Sequence, residues 1–161
     1  MEDLNILTEN LSDPSLTQLP VVAPGTYEVI VSKPRLLKEE GQNGEPVSRL
    51  AYTVYLQSPA LKYGTNEPWP PSMPVPTSIQ LTPTGKLTQQ IIKQNLASFL
   101  QACGEATLLT PQEAGEFASM LPPAELPIPK FEGKKFMVKI SVRPDSEGNP
   151  RMNLRPVPTR R

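Results

Sequence analysis

The residues of this chain with the clearest chemical potential are cations in strict alternation. In KKFMVKISVRP (134 to 144), Lys135, Lys139 and Arg143 recur with even spacing, and RMNLRPV adds Arg151 and Arg155. Successive side chains of an extended strand point to opposite faces. Phe136, Val138, Ile140 and Val142 therefore turn one way, and Lys135, Met137, Lys139, Ser141 and Arg143 the other. In the next run Met152 and Leu154 face inward and Arg151, Asn153 and Arg155 outward. Pairing the two runs across the turn DSEGNP gathers the five cations on one face, within a few strand spacings of about 5 Å each. Such a face suits phosphates. Burial of the inward apolar groups makes its register hard to slip.

The overall balance hides this face, because 16 Lys and Arg offset 16 Asp and Glu among 161 residues. Residues 1 to 24 carry Glu2, Asp3, Glu9 and Asp13 with no cation, a charge of −4. Residues 130 to 161 hold nine cations against Glu132, Asp145 and Glu147, a charge of +6. Segregation of this kind predicts a polyanionic partner for the C-terminal part and an acidic arm able to compete with it.

Other chemistry is closed off by composition. There is no histidine and one cysteine, Cys103, so Ser-His, Cys-His and His-ligated metal sites cannot be assembled from this chain. Gly85-Lys86 lacks the earlier glycine of a P-loop and is followed by Leu87 instead of Ser or Thr. Asp145 with Glu147, and Glu132-Gly133-Lys134, resemble the acidic and lysine elements of metal-dependent nucleases in reversed order, with the acids in a turn too pliable to hold Mg²⁺. The expectation is a protein without catalysis and without cofactor. A single cysteine, no charged-then-apolar leader and no apolar run of roughly 18 residues point to a cytoplasmic protein with no membrane segment.

The elements that must position the cations can be read from turn signals and periodicity. Proline makes up 21 of the 161 residues, far above the average of about 5%. Its clusters at 68 to 76 and 122 to 129 are expected to mark where regular structure stops. An acidic arm covers 1 to 20, one domain 21 to 158, and a basic tail 159 to 161. After Pro24-Gly25 comes a first strand, TYEVIVSK, and after the polar tip at 38 to 46 a second, VSRLAYTVYLQ. In that second strand Leu50, Tyr52, Val54 and Leu56 share one face, and Arg49, Ala51, Thr53 and Tyr55 the other. A proline-rich excursion at 57 to 76 carries Tyr63 and Trp69, the latter read as packing the excursion down, and leads into a short strand near 77 to 82.

Residues 86 to 103 place Leu87, Ile91, Leu96, Phe99, Leu100 and Cys103 near a 3.6-residue period and end at Gly104, predicting the main helix. Thr110-Pro111-Gln112-Glu113 has the composition of a capping box and opens a short second helix ending near Met120. The order is strand, strand, strand, helices, strand, strand. This predicts a β-rich α+β fold, an OB-like five-stranded barrel with one main and one short helix between strands 3 and 4.

Certain segments together resemble a known family. They are LPVVAPGTYEVIVSKPRL, LAYTVYLQ, QQIIKQNLASFLQACG and FEGKKFMVKISVRPDSEGNPRMNLRPV, covering about 19 to 158. Pro24, Gly25, Tyr27 and Val29, then Gly133-Lys134, then Asn153 look like positions of the small phage-encoded single-stranded-DNA-binding-like proteins. The excursion at 57 to 76 is longer than the matching stretch in such proteins. The resemblance implies an OB-like domain that coats single strands in phage replication or recombination, in the host cytoplasm.

Binding single strands requires cations for phosphates and exposed aromatics for bases. The candidates are Lys135, Lys139, Arg143, Arg151, Arg155 and Arg49, with Tyr55 and Tyr63 stacking. The acidic arm is a candidate decoy strand or docking peptide for phage replication or recombination proteins, and a second copy of the chain is a further candidate partner. Two other readings are a virion structural or assembly module held by arms and proline-stiffened segments, and an adaptor that binds protein through 57 to 76.

Overall fold

The first strand, β1 (Gly25–Glu40), has 16 residues, about 53 Å if straight, and it is bent by one extra residue. Its register against β2 (Pro46–Leu56) steps from Ser32↔Thr53 to Arg35↔Ala51, so that Lys33 and Pro34 together face Tyr52. This is a β-bulge, and it turns the strand and reverses which parity of side chains faces inward. Val29 and Val31 are buried before the bulge, Leu36 and Lys38 after it. Lys33 takes φ 53°, the left-handed region that costs a non-glycine residue about 1 kcal/mol. The bulge is held from outside by Glu132, whose Oε1 accepts from Lys33 N–H at 3.1 Å, and by Ile128 N–H donating to the Pro34 carbonyl at 3.1 Å.

A computed structural model describes residues 20–42 and 44–158. The acidic arm, apart from Pro20, and the basic tail at 159 to 161 lie outside the described residues. Among the described residues, β3 (Val75–Gln80), β4 (Ala124–Pro127), β5 (Lys135–Pro144) and β6 (Pro150–Pro156) join β1 and β2 in one six-stranded antiparallel sheet. The order is β3-β2-β1-β5-β6, with β4 also on β1. The first half of β1 pairs with β5 and the second half with β4.

Two expectations are corrected. The sheet has six strands instead of five, because Ala124–Pro127, inside the second proline cluster, pairs with Arg35–Lys38. Proline is tolerated on such a short peripheral strand. Among the described residues the sheet is also open, since β3 and β6 form no ladder with each other and a closed barrel is not formed.

Two helices, α1 (Gln89–Cys103) and α2 (Pro111–Ser119), lie between β3 and β4. Thr88 caps α1 by accepting from Ile91 N–H, and Gly104 ends it at φ 74°. The helix therefore starts three residues later than its apolar pattern implied. Its buried face is Ile92, Phe99, Leu100, Ala102 and Cys103, with Leu96 half-buried, while Ile91 is exposed. It packs against β3, β5 and β6. Phe99 is fully buried there, its ring 4.8 Å from Tyr52, 5.2 Å from Phe131 and 6.0 Å from Phe136. Helix α2 opens on the expected capping box: Glu113 N–H donates to Thr110 Oγ1 at 3.2 Å, and Thr110 N–H to Glu113 Oε1 at 3.0 Å.

The far end of α2 rests on a buried lysine. Lys38 Nζ donates to the carbonyls of Phe117 at 2.5 Å, Ala118 at 3.3 Å and Met120 at 3.1 Å, and lies 4.6 Å from the Phe117 ring centroid. A cation at a helix C-terminus satisfies carbonyls with no partner inside the helix and meets the negative end of its dipole. Lys38→Met keeps the stem and removes these bonds, so it is expected to destabilise the protein by about 2–3 kcal/mol. Urea unfolding of the two proteins measures this. The excursion folds back on itself, with Lys62 N–H donating to Glu67 O and Trp69 N–H to Ala60 O, and Trp69 joins the core as expected. Among the described residues, no helix is long and apolar enough to cross a membrane.

Candidate nucleic-acid interface

The predicted alternation of β5 is present. Lys135, Met137, Lys139 and Arg143 are exposed while Phe136, Val138 and Ile140 are buried. Register then decides which cations meet. Lys139 stands opposite Arg155, Arg143 opposite Arg151, and Ser141 opposite Asn153. On the other side of β5, Lys135 is opposite Ile30 and Lys139 opposite Thr26. Ile30 in turn faces Tyr55 on β2. Residues directly opposite one another share a face, so Tyr55, Ile30 and Lys135 form one row across three strands, and Thr26, Lys139 and Arg155 another. Along β5, Lys135 and Arg143 are about 26 Å apart.

Like charges directly opposite each other on a sheet are destabilising. Among the described residues, Lys135, Lys139, Arg143 and Arg155 have no ion-pair partner. Arg151 has one, with its Nε 3.0 Å from Asp145 Oδ2. The same carboxylate closes the β5–β6 turn, Oδ1 accepting from the N–H groups of Glu147 and Asn149 at 2.9 Å each. These bonds, the Asn149 N–H first, hold Asp145 below the ordinary aspartate range. Its charge therefore persists at neutral pH. Asp145 is thus committed to turn and cation.

The other sequence candidates are placed elsewhere. Arg49 is on the outer face of β2 but six residues from Tyr55, about 20 Å along the strand, and it is ion-paired to Glu39. A cavity of about 420 Å³ beside it is lined by Glu39, Glu40 and Glu45 as well as Arg49, a lining that disfavours phosphate. Tyr63 is exposed on the excursion, its N–H donating to the Val21 carbonyl at 2.6 Å, and is not on the strands that carry the cations.

Glu132-Gly133-Lys134 serves the β1 bulge. Glu132 bonds Lys33, Gly133 N–H donates to the Val31 carbonyl with φ 80°, and Lys134 Nζ lies 3.8 Å from Glu105. Cys103 is buried, and burial pushes its thiol up to about 12, with Lys134 offsetting part of the shift and Glu105 adding to it. A thiol so held is protonated at neutral pH and a poor nucleophile.

Sequence periodicity missed two features that bear on the face: the ion pair of Arg151 with Asp145, and the margins of β3 and β6 beside it, which pair with no strand among the described residues. The acidic first residue of DSEGNP, six positions before Arg151, is the one local sign of the former. Nothing local announces the latter. No protein-family model matches the chain, and a search of curated proteins finds no match.

Proposed function

We propose that the chain is a non-catalytic, sequence-tolerant binder of single-stranded DNA, acting in phage replication or recombination through an OB-like domain. The observation that carries this reading is the cross-strand stacking of Lys139 on Arg155 and Arg143 on Arg151, with Lys135 in line. Such a grouping costs stability unless a polyanion covers it. Tyr55, one strand beyond Ile30 from Lys135, supplies a ring at the edge of the cations, and base–aromatic stacking needs no particular base. The OB-like part of the reading rests on connectivity. A long bent first strand pairs with both β2 and β5, a helix precedes the last two strands, and only the β3–β6 closure of that layout is missing.

Titration of labelled oligo(dT) and of a matched duplex, followed by anisotropy at several salt concentrations, tests the proposal. The expected result is preference for the single strand with a log–log salt slope of about −2 to −4, as three to five phosphates at about 0.7 each produce. If neither nucleic acid binds at low salt, the cationic face serves a protein partner or a subunit lattice, and the reading fails.

A further inference from the structure

Among the described residues, the outer margins of β3 and β6 pair with no strand and enclose a cleft of about 940 Å³. Its two sides differ in chemistry because it lies at the edge of the sheet. Met152 and Leu154, opposite Val142 and Ile140, belong to the inward face and form an apolar wall with Trp69 and Met73. Ser78, opposite Ala51, and Asn153 and Arg151, opposite Ser141 and Arg143, belong to the outward face and form a polar rim.

Trp69 is only 5% exposed, yet its indole Nε1 has no hydrogen-bond partner. Buried N–H groups are seldom left so, and this one is sealed beneath the wall instead of opening into the cleft. An added peptide strand is a poor occupant, since Pro74 and Pro76 line the β3 side and offer it no N–H. A flat heterocycle suits the site better. It has apolar faces for the inner wall and hydrogen-bonding edges for Ser78 and Asn153, while the rest of the rim carries Glu147 and the Asp145-paired Arg151.

We propose that this cleft receives one unstacked base of the bound strand. The inference rests on the single-strand reading above. It extends that reading by continuity, because Arg151 belongs to both the cleft and the cationic face.

Trp69 is the chain's one tryptophan, so its emission reports on the cleft directly. The test titrates the full chain with oligo(dT) while following strand anisotropy and tryptophan emission together, for the natural protein, Ser78→Phe and Asn153→Leu. Ser78 and Asn153 are both exposed, and thermal melts identify any variant that fails to fold. The expected result is an emission change with the same midpoint as the anisotropy. Ser78→Phe, which fills the cleft, should weaken binding about tenfold, within the worth of one stacked base. The salt slope should not change, because no phosphate contact is lost. Asn153→Leu should weaken binding in the same manner.

Binding with unaltered emission, and variants of natural affinity, would overturn the inference and leave the single-strand reading standing. Absence of binding would overturn both. An emission change on removing residues 1–19 without DNA, with none added by oligo(dT), would assign the cleft to the chain's own N-terminal segment and also overturn the inference.

Discussion

Changing Lys135, Lys139, Arg143 and Arg155 together to alanine is expected to reduce the salt slope of oligo(dT) binding by about 3, since four phosphate contacts at about 0.7 each disappear. Affinity at low salt should fall at least tenfold, to about the same degree on every sequence, because phosphate contacts carry no base information. These four are the cations of the face without an ion-pair partner among the described residues, so their removal leaves no carboxylate uncompensated. Stability should hold or rise by a few tenths of a kcal/mol, as both like-charged oppositions, Lys139 on Arg155 and Arg143 on Arg151, are lost. A loss of affinity that comes with a lower melting temperature and an unchanged slope would mean that these residues support the fold and not the strand. Keeping Arg151 in place also leaves Asp145 and the β5–β6 turn intact.

Phe99→Ala is expected to be the most destabilising single substitution, at about 3–5 kcal/mol. Phe99 is fully buried where α1 meets the sheet, and its ring touches aromatic partners from β2, from the 3₁₀ turn at Pro129–Phe131 and from β5. Removing it opens a cavity bordered by three rings that cannot all move in, so both transfer energy and packing are lost. Against a typical total of 5–15 kcal/mol, that loss leaves a marginal protein. Phe99→Leu retains most of the volume and should lose clearly less. Urea unfolding at 25 °C distinguishes the two, and a loss under about 1.5 kcal/mol for alanine would mean that α1 is not the keystone of this core.

Core and surface cations are separated by a single residue of strand phase in this molecule. Lys38 and Lys139 are both strand lysines in polar company, yet one is buried beneath α2 and the other faces outward. In β5 the pattern of Phe136, Val138 and Ile140 is unbroken, so the outward placement of Lys139 could be read directly. In β1 the same rule fails after Ser32. Counting onward from Val29 and Val31 would turn Lys33, Arg35 and Leu37 inward, whereas the bulge brings Leu36 and Lys38 there instead. The bulge is held by Glu132 and Ile128, about a hundred residues away in the chain.

What the sequence determined by itself was everything governed by near neighbours: the alternation of β2 and β5, the Thr110–Glu113 capping box, the stop of α1 at Gly104, and the sidedness of Tyr55 and the cations. Each follows from a repeat of two or 3.6 residues, or from one residue's own backbone preference. Pairing between distant segments was left to the tertiary structure. It decided that a proline-rich stretch would become β4, that Lys139 would stand on Arg155 and Arg143 on Arg151, that Asp145 would hold Arg151, and that β3 and β6 would stay apart over Trp69. The physical reason is that a strand's own pattern names its buried face and not its neighbour. Partner and register come from the competition of all edges for one core, and that competition is settled only when the whole chain has folded.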